Sequence, residues 1–204
     1  MPPSAYAELP GHTLHVIQRG HLRAKCFFNR DDRVAYLAWL REYAAQTACA
    51  VHAYALMGNH VHLLLTPSLR GGAGTLVRML KERHAKHVAQ AWQLEGLLWE
   101  EGFDATPVHQ HRHVLACMRY IELNPVRARL AGRPEQFPWS SHRSNAFGEV
   151  NALLTPHSAY AVLGRSAAAR QAAYRALFGG IRPGGSGRRA QPEHGLGAGP
   201  GFKG

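Results

Sequence analysis

Within this chain of 204 residues, the pattern with the most evident chemistry is Met57-Gly58-Asn59-His60-Val61-His62-Leu63-Leu64. In a β-strand, residues i and i+2 point to the same face, so His60 and His62 would present two imidazoles side by side while Val61 turns into apolar packing. Two neutral imidazoles can hold a divalent ion and leave positions open for phosphate oxygens. In a chain with 14 histidines the same spacing also fits a pair with no ligand at all. A second pattern is Met118-Arg119-Tyr120-Ile121-Glu122-Leu123-Asn124-Pro125-Val126-Arg127-Ala128-Arg129. Tyr120 and Asn124 share one helix face if the helix runs that far. A tyrosine phenol can attack a phosphodiester when a metal or a basic neighbour favours the phenolate. The competing readings are a core tyrosine, and an Asn124 that caps a new helix opened by Pro125. The residue before a proline avoids the α region, which would break the helix at that point.

These residues need strands and helices to place them. Thr13–Gln18 has short β-rich character and stops at Gly20. Asp31-Asp32 precede an amphipathic helix with Val34, Leu37, Leu40 and Tyr43 at helical spacing. Ala50–Met57 and His60–Leu65 predict two strands joined by a Gly58-Asn59 turn, the second closing at Pro67. A longer helix follows over Ala73–Gln93, then a short strand over Ala105–His109. Helical signals resume over Arg112–Leu123 and Pro125–Leu130, with two short helices at Ser158–Leu163 and Ala167–Phe178. The order β-α-β-β-α-β predicts an α+β fold: a ferredoxin-like (RRM-like) antiparallel sheet with helices on one face and a C-terminal helical extension. The domain would occupy residues 1–150 and the extension 151–180. Residues 181–204 are Gly/Pro-rich and basic, and are expected to form a disordered tail.

Composition narrows the partner. Twenty-four Lys+Arg against 13 Asp+Glu give a net charge of +11. Taking away the four bases of the tail (Arg182, Arg188, Arg189, Lys203) and Glu193 still leaves +8. Such an excess favours an anionic polymer, because each phosphate neutralised releases condensed counterions. No apolar run spans a bilayer, no lipidation motif occurs, and the N-terminus lacks the pattern of a signal peptide, so no membrane partner is expected. Cys26, Cys49 and Cys117 show no CxxC pairing and read as buried thiols in a reducing cytoplasm. No GxxxxGK[ST] is present, hence no nucleotide cofactor.

Taken together, the two patterns carry a family resemblance. MGNHVHLLL resembles the HUH motif of the single-tyrosine, IS200-like transposases, and RYIELNPVRARL resembles the tyrosine segment of their REP-associated branch. LPGHTLHVIQRG, LLWEEGF and PWSSHRSNAFG agree in order and spacing, so the resemblance spans Ala7 to Gly148 and continues more weakly to Phe178. It implies His60 and His62 as a metal-binding pair for Mg²⁺ or Mn²⁺, Tyr120 as nucleophile and Asn124 as a third ligand. It also implies transesterification of single-stranded DNA beside a hairpin of a palindromic repeat, through a 5′-phosphotyrosine. The expected enzyme is cytoplasmic and nucleoid-associated, with a monomer favoured over a homodimer. Arg19, Arg23, Lys81, Arg83, Lys86, Arg119, Arg127 and Arg129 are the candidate DNA contacts.

The chain departs from the family pattern at Trp99-Glu100-Glu101-Gly102-Phe103, acidic where a base is expected before the aromatic. The stretch between the second helix and Trp99 also lacks the expected basic, tyrosine-containing turn. Three rival readings stay open: a catalytically decayed or repurposed nucleic-acid-binding module, a metal-dependent nuclease that uses water, and a structural zinc site.

Overall fold

The computed structural model describes residues 9–179. The basic Gly/Pro-rich segment from Ile181 to Gly204 lies outside the described residues.

Alternation builds the sheet. Strands β1 (Leu14–Arg19), β2 (Cys49–Leu56), β3 (His60–Pro67) and β4 (Asp104–Pro107) pair antiparallel in the order β2-β3-β1-β4. Leu14 and Val16 of β1 and Val61, Leu63 and Leu65 of β3 turn to one face and join one apolar core. The period of two sends His15, Ile17 and Arg19, with His60, His62 and Leu64, to the other face. The result is the expected α+β antiparallel sheet with the β-α-β-β-α-β order.

Helices α1 (Arg30–Gln46) and α2 (Gly72–Trp92), the two crossovers, both cover the first face, burying Tyr36, Leu40, Leu76, Val77 and Leu80. α1 starts one residue before the Asp31-Asp32 pair. Its N-cap is Asn29, whose side chain accepts from the Asp32 amide at 2.8 Å, while the Asp32 carboxylate accepts from the amides of Phe28 (2.7 Å) and Asn29 (3.1 Å). The inward stripe is accordingly Asp32, Tyr36, Leu40 and Ala44, and Val34, expected inside, is 49% exposed. The capping box rotates the helix so that a buried, fully bonded aspartate replaces an apolar residue on the inner face.

Helix α3 (His111–Arg127) covers the opposite face, setting Val114, Met118 and Ile121 against Ala53, Ala55 and Leu64. It is one helix, not two. Pro125 sits inside it, and Asn124 is a helical residue whose amide nitrogen donates to the Tyr120 carbonyl at 2.9 Å. The capping reading of Asn124 is thereby overturned. Burial of Ile121, Glu122, Leu123 and Pro125 outweighs the local preference of a pre-proline residue for extended backbone.

The segment after α3 is tied to this second layer. Trp139–Ser141 runs along the free edge of β2, with Leu56 donating to the Trp139 carbonyl and Ser141 to the Tyr54 carbonyl. Thr155 donates to the Val51 carbonyl further along the same edge, so an otherwise open strand is covered. Helix α4 (His142–Phe147) has no apolar period to announce it, because its inward residues His142, Asn145 and Ala146 are mostly polar. Those polar groups converge on Glu122, which is fully buried. Its carboxylate accepts from Ser141 Oγ (2.6 Å), Asn145 Nδ2 (2.8 Å), His142 Nδ1 (2.9 Å) and Tyr174 Oη (2.8 Å). Tyr174 comes from α6 (Ala167–Ala176), and α5 (Ser158–Ala161) packs between α6 and α3.

Buried histidines away from the site make stability sensitive to acid. His84 is fully buried among Phe27, Tyr36 and Trp99, and burial pushes its pKa down to about 3. Burial likewise lowers His52 to about 4. In the unfolded chain a histidine takes up its proton below about pH 6.5, so between that pH and about 4 the unfolded state binds more protons. Stability is therefore expected to fall as pH drops from about 6.5, by on the order of 1–2 kcal/mol per group at pH 5. Thermal unfolding followed from pH 7.5 to 4.5 should show a steady decline, and a flat midpoint across that range would refute it.

Candidate active site

The two histidines meet as the strand period requires. His60 Nε2 lies 3.1 Å from His62 Nε2, with ring centroids 4.8 Å apart. His62 is almost fully buried, and burial, with lesser contributions from His60, His15 and Arg19, lowers its pKa to about 3. Burial, then Arg19 and Arg23, lower His60 as well. Both rings are therefore neutral near pH 7, the form in which imidazole donates to a metal.

Tyr120 arrives from α3 on the same face. Its ring stands edge-on to His62 (5.8 Å, 87°) and to His15 (5.8 Å, 75°) and is 39% exposed. Two turns further along the helix, the Arg127 guanidinium sits 5.0 Å from the Tyr120 ring centroid. Asn124 lies on the tyrosine's side of α3, with its amide nitrogen committed to the helix backbone. Among the described residues no group of three or more His, Cys, Asp or Glu surrounds a common metal position, so a site here rests on the two imidazoles and non-carboxylate ligands. Two Nε2 atoms 3.1 Å apart suit a shared divalent ion about 2.1 Å from each. His60 and His62 are thus the residues that could hold a metal.

The candidate cations divide between the two faces. Arg19 pairs in register with His60 and bonds the Asp104 carboxylate at 2.5 Å. Arg23 presents its carbonyl to the Asn59 amide at 3.1 Å and contributes its charge at His60. Arg119, Arg127 and Arg129 belong to α3 or its C-terminal end, and the Nε of Arg119 is buried without a hydrogen-bond partner. Lys81, Arg83 and Lys86 belong to α2 and the opposite side of the sheet. Arg83 stacks on Trp39 of α1 at 5.5 Å, and Lys86 lines a groove with Tyr43. Lys81 is bonded to the Glu100 carbonyl (2.6 Å) and to that of Glu101, so the acidic Trp99–Phe103 segment is held by a base from α2.

Sequence reasoning passed over His15, Asn59, Asp104 and Trp139. His15 Nε2 is 3.0 Å from His62 Nδ1, and Asn59 Oδ1 is 2.7 Å from His60 Nδ1. The only signal for His15 was the alternation that puts it on the same face as Arg19. Its meeting with His62 depends on the β1–β3 register. Asn59 is held by the chain around Gly20, whose amide donates to the Asn59 carbonyl at 2.8 Å. A Cβ at position 20 would come 2.3 Å from the Ala24 carbonyl oxygen, so only glycine permits that approach. Beside His60 an open cleft of about 560 Å³ is lined by Trp139, Phe137, Lys25, Arg33 and Leu130.

An antiparallel α+β sheet thus turns a histidine pair toward a helix-borne tyrosine. The same fold occurs in a REP-associated tyrosine transposase solved bound to a REP hairpin, with a TM-score of 0.54 and 18% identity over 74% of this chain and 92% of that one. A candidate transposase from Deinococcus radiodurans R1 is also similar, with a TM-score of 0.41 and 23% identity over 54% of this chain and 88% of that one. A comparison with curated protein sequences found no match. The chain belongs to the IS200-like transposase family, whose model matches residues 9–124, more than half of the sequence. That span includes the histidine pair and ends four residues past Tyr120. Among the described residues no helix is long and apolar enough to cross a membrane.

Proposed function

We propose that this transposase is of the REP-associated, single-tyrosine HUH kind, and that it cleaves and rejoins single-stranded DNA beside hairpins of palindromic repeats through a 5′-phosphotyrosine on Tyr120. The observation that carries the reading is the meeting of Tyr120 with His62, which in turn stands against His60, on one face of the sheet from segments far apart in sequence. A divalent ion on His60 and His62, with Asn124 Oδ1 as a further ligand, would polarise the scissile phosphate and steady the charge on its oxygens. Imidazole donors favour Mn²⁺ over Mg²⁺ for that role.

The protein's own groups account for the rest. Tyr120 Oη attacks phosphorus in line, forming the tyrosyl phosphodiester while the 3′ oxygen leaves as a 3′-hydroxyl with a proton. The phosphodiester energy stays in the new bond, so a second 3′-hydroxyl can reverse the step without ATP. Arg127 places positive charge beside the Tyr120 ring, where negative charge develops. Arg19 and Arg23 flank His60 and would hold phosphates on either side of the cut, with Arg119 and Arg129 extending that surface along α3. The cleft beside His60, with Trp139 and Phe137 in its wall and Lys25 and Arg33 at its side, suits an unpaired strand that stacks its bases and neutralises its backbone. Lys81, Arg83 and Lys86 would carry the basic surface round to the other face, within reach of a hairpin arm and not of the cut. The proposed enzyme acts in the cytoplasm on the nucleoid, as a monomer in preference to a homodimer.

The test is a covalent adduct. Purified protein mixed with single-stranded genomic fragments and Mn²⁺ should yield a protein–DNA band that survives denaturation and is lost on chelation with EDTA. Sequencing the attached strand would identify the hairpin and its flanking signal. Salt-sensitive binding with no adduct under any metal would reduce the protein to a repurposed binder, with the acidic Glu100-Glu101-Gly102 segment as the first place to look.

A further inference from the structure

We propose that Asn59 and His15 are the supports that set the tautomers of the histidine pair, keeping each ring protonated on Nδ1 so that both Nε2 lone pairs face one divalent ion. This rests on the metal reading of His60 and His62 given above.

The Asn59 side chain has its orientation decided from outside the site. Its Nδ2 donates to the Arg23 carbonyl at 3.1 Å, which turns Oδ1 toward His60 Nδ1 at 2.7 Å. An amide oxygen can only accept, so His60 Nδ1 must be the donor, and its neutral ring then carries the lone pair on Nε2. The turn bearing Asn59 is itself pinned, since Gly20 donates to the Asn59 carbonyl (2.8 Å) and Cys26 to the Gly58 carbonyl (2.9 Å).

His62 has a support from another strand. In the β1–β3 register Ile17 lies opposite His62 and His15 opposite Leu64, so His15 is the diagonal neighbour of His62 on the shared face. Its Nε2 is 3.0 Å from His62 Nδ1, and the rings lie 5.2 Å apart at 23°, which fixes the plane of the His62 ring as well as its hydrogen bond. With His15 Nε2 accepting from His62 Nδ1–H, the His62 Nε2 lone pair is free beside that of His60, 3.1 Å away. Without an ion two such lone pairs repel, so the supports prepare a site that a cation completes. Metal-bound histidines generally depend on a partner at the other ring nitrogen in this way. His15 is a positioning residue here: its Nε2 is directed at His62 Nδ1, on the side of that ring away from His60.

The test measures Mn²⁺ binding by electron paramagnetic resonance on the full chain without DNA. His15→Leu and Asn59→Ala are expected to weaken Mn²⁺ binding by about 10- to 100-fold. His15→Gln, which keeps an acceptor, should recover most of that loss. Imidazole ¹⁵N spectra of the wild type loaded with Zn²⁺, a diamagnetic stand-in, should show protonated Nδ1 and metal-bound Nε2 in both His60 and His62. This second readout stands if a variant fails to fold. Wild-type Mn²⁺ affinity in a folded His15→Leu variant, or metal bound through Nδ1 of either ring, would overturn the assignment while leaving the metal reading intact. A wild type that binds neither Mn²⁺ nor Zn²⁺ at these histidines would overturn the metal reading itself.

Discussion

Tyr120→Phe is expected to leave a folded, metal-binding, DNA-binding protein that forms no covalent adduct. The change removes one oxygen from a ring that is 39% exposed and whose hydroxyl makes no hydrogen bond to any described residue. The ring's contacts with His15, His62 and Arg127 are made by its face and edge and survive. Stability should therefore change by less than about 0.5 kcal/mol, as for other surface substitutions. Strand cleavage should fall by at least about 10³- to 10⁴-fold, since loss of the proposed nucleophile would leave only positioning and electrostatic stabilisation, the pattern of enzymes with covalent intermediates. Denaturing gels with end-labelled oligonucleotides read the cleavage and the adduct, and thermal unfolding reads the stability. Cleavage that persists in Tyr120→Phe, with free ends and no adduct, would show instead that His60 and His62 direct water as a metal-dependent nuclease.

The largest stability effect is expected two residues away, at Glu122. Its carboxylate is fully buried and accepts from Ser141, His142, Asn145 and Tyr174, which belong to the segment preceding α4, to α4 itself and to α6. Glu122→Ala would remove the shared acceptor of four buried donors, of which Asn145 and Ser141 keep a second partner in the His52 and Tyr54 carbonyls, and leave a cavity between α3 and the C-terminal helices. The combined loss is expected at about 3–5 kcal/mol, the scale seen when one member of a buried polar network is removed. For a chain of this length that corresponds to a drop of roughly 10 °C or more in Tm. Tyr174→Phe removes one donor of the four and should cost only about 1 kcal/mol. Burial and the neighbouring carboxylate both raise the Tyr174 pKa, which keeps it protonated as a donor. Calorimetry on the two variants checks the order, and equal midpoints would contradict it. Because Glu122 and Tyr120 share α3, loosening this anchor should also impair adduct formation at temperatures where Glu122→Ala remains largely folded.

Much of the scaffold could be read from local pattern. β-rich runs bounded by turn residues placed β1 to β3 within two residues of their limits, and i, i+2 spacing put His60 and His62 on one face, because strand geometry decides that much from spacing alone. The β-α-β-β-α-β order set the sheet topology, since few arrangements bury both crossover helices on the face of one such antiparallel sheet. The resemblance around Tyr120 marked the helix that would complete the site, and the family match over residues 9–124 agrees with it.

What local pattern did not hold was anything set by pairing between distant segments. Asn124-Pro125 reads as a helix start, yet α3 runs through it because Ile121, Glu122 and Pro125 are buried against neighbouring elements, and that burial outweighs a local preference. Lys81, Arg83 and Lys86 read as companions of the site, but the sheet stands between them and Tyr120, and no spacing along the chain reveals which face a crossover helix will cover. His15 and Asn59 were ordinary polar residues until the β1–β3 register and the turn held by Gly20 brought them to the rings of His62 and His60. The amino-acid sequence by itself determined the chemistry that this protein can offer: a histidine pair, a tyrosine and an excess of positive charge. The tertiary structure alone decided how those groups are supported and which cations share their face, because hydrogen-bond partners and burial come from residues that only folding makes neighbours.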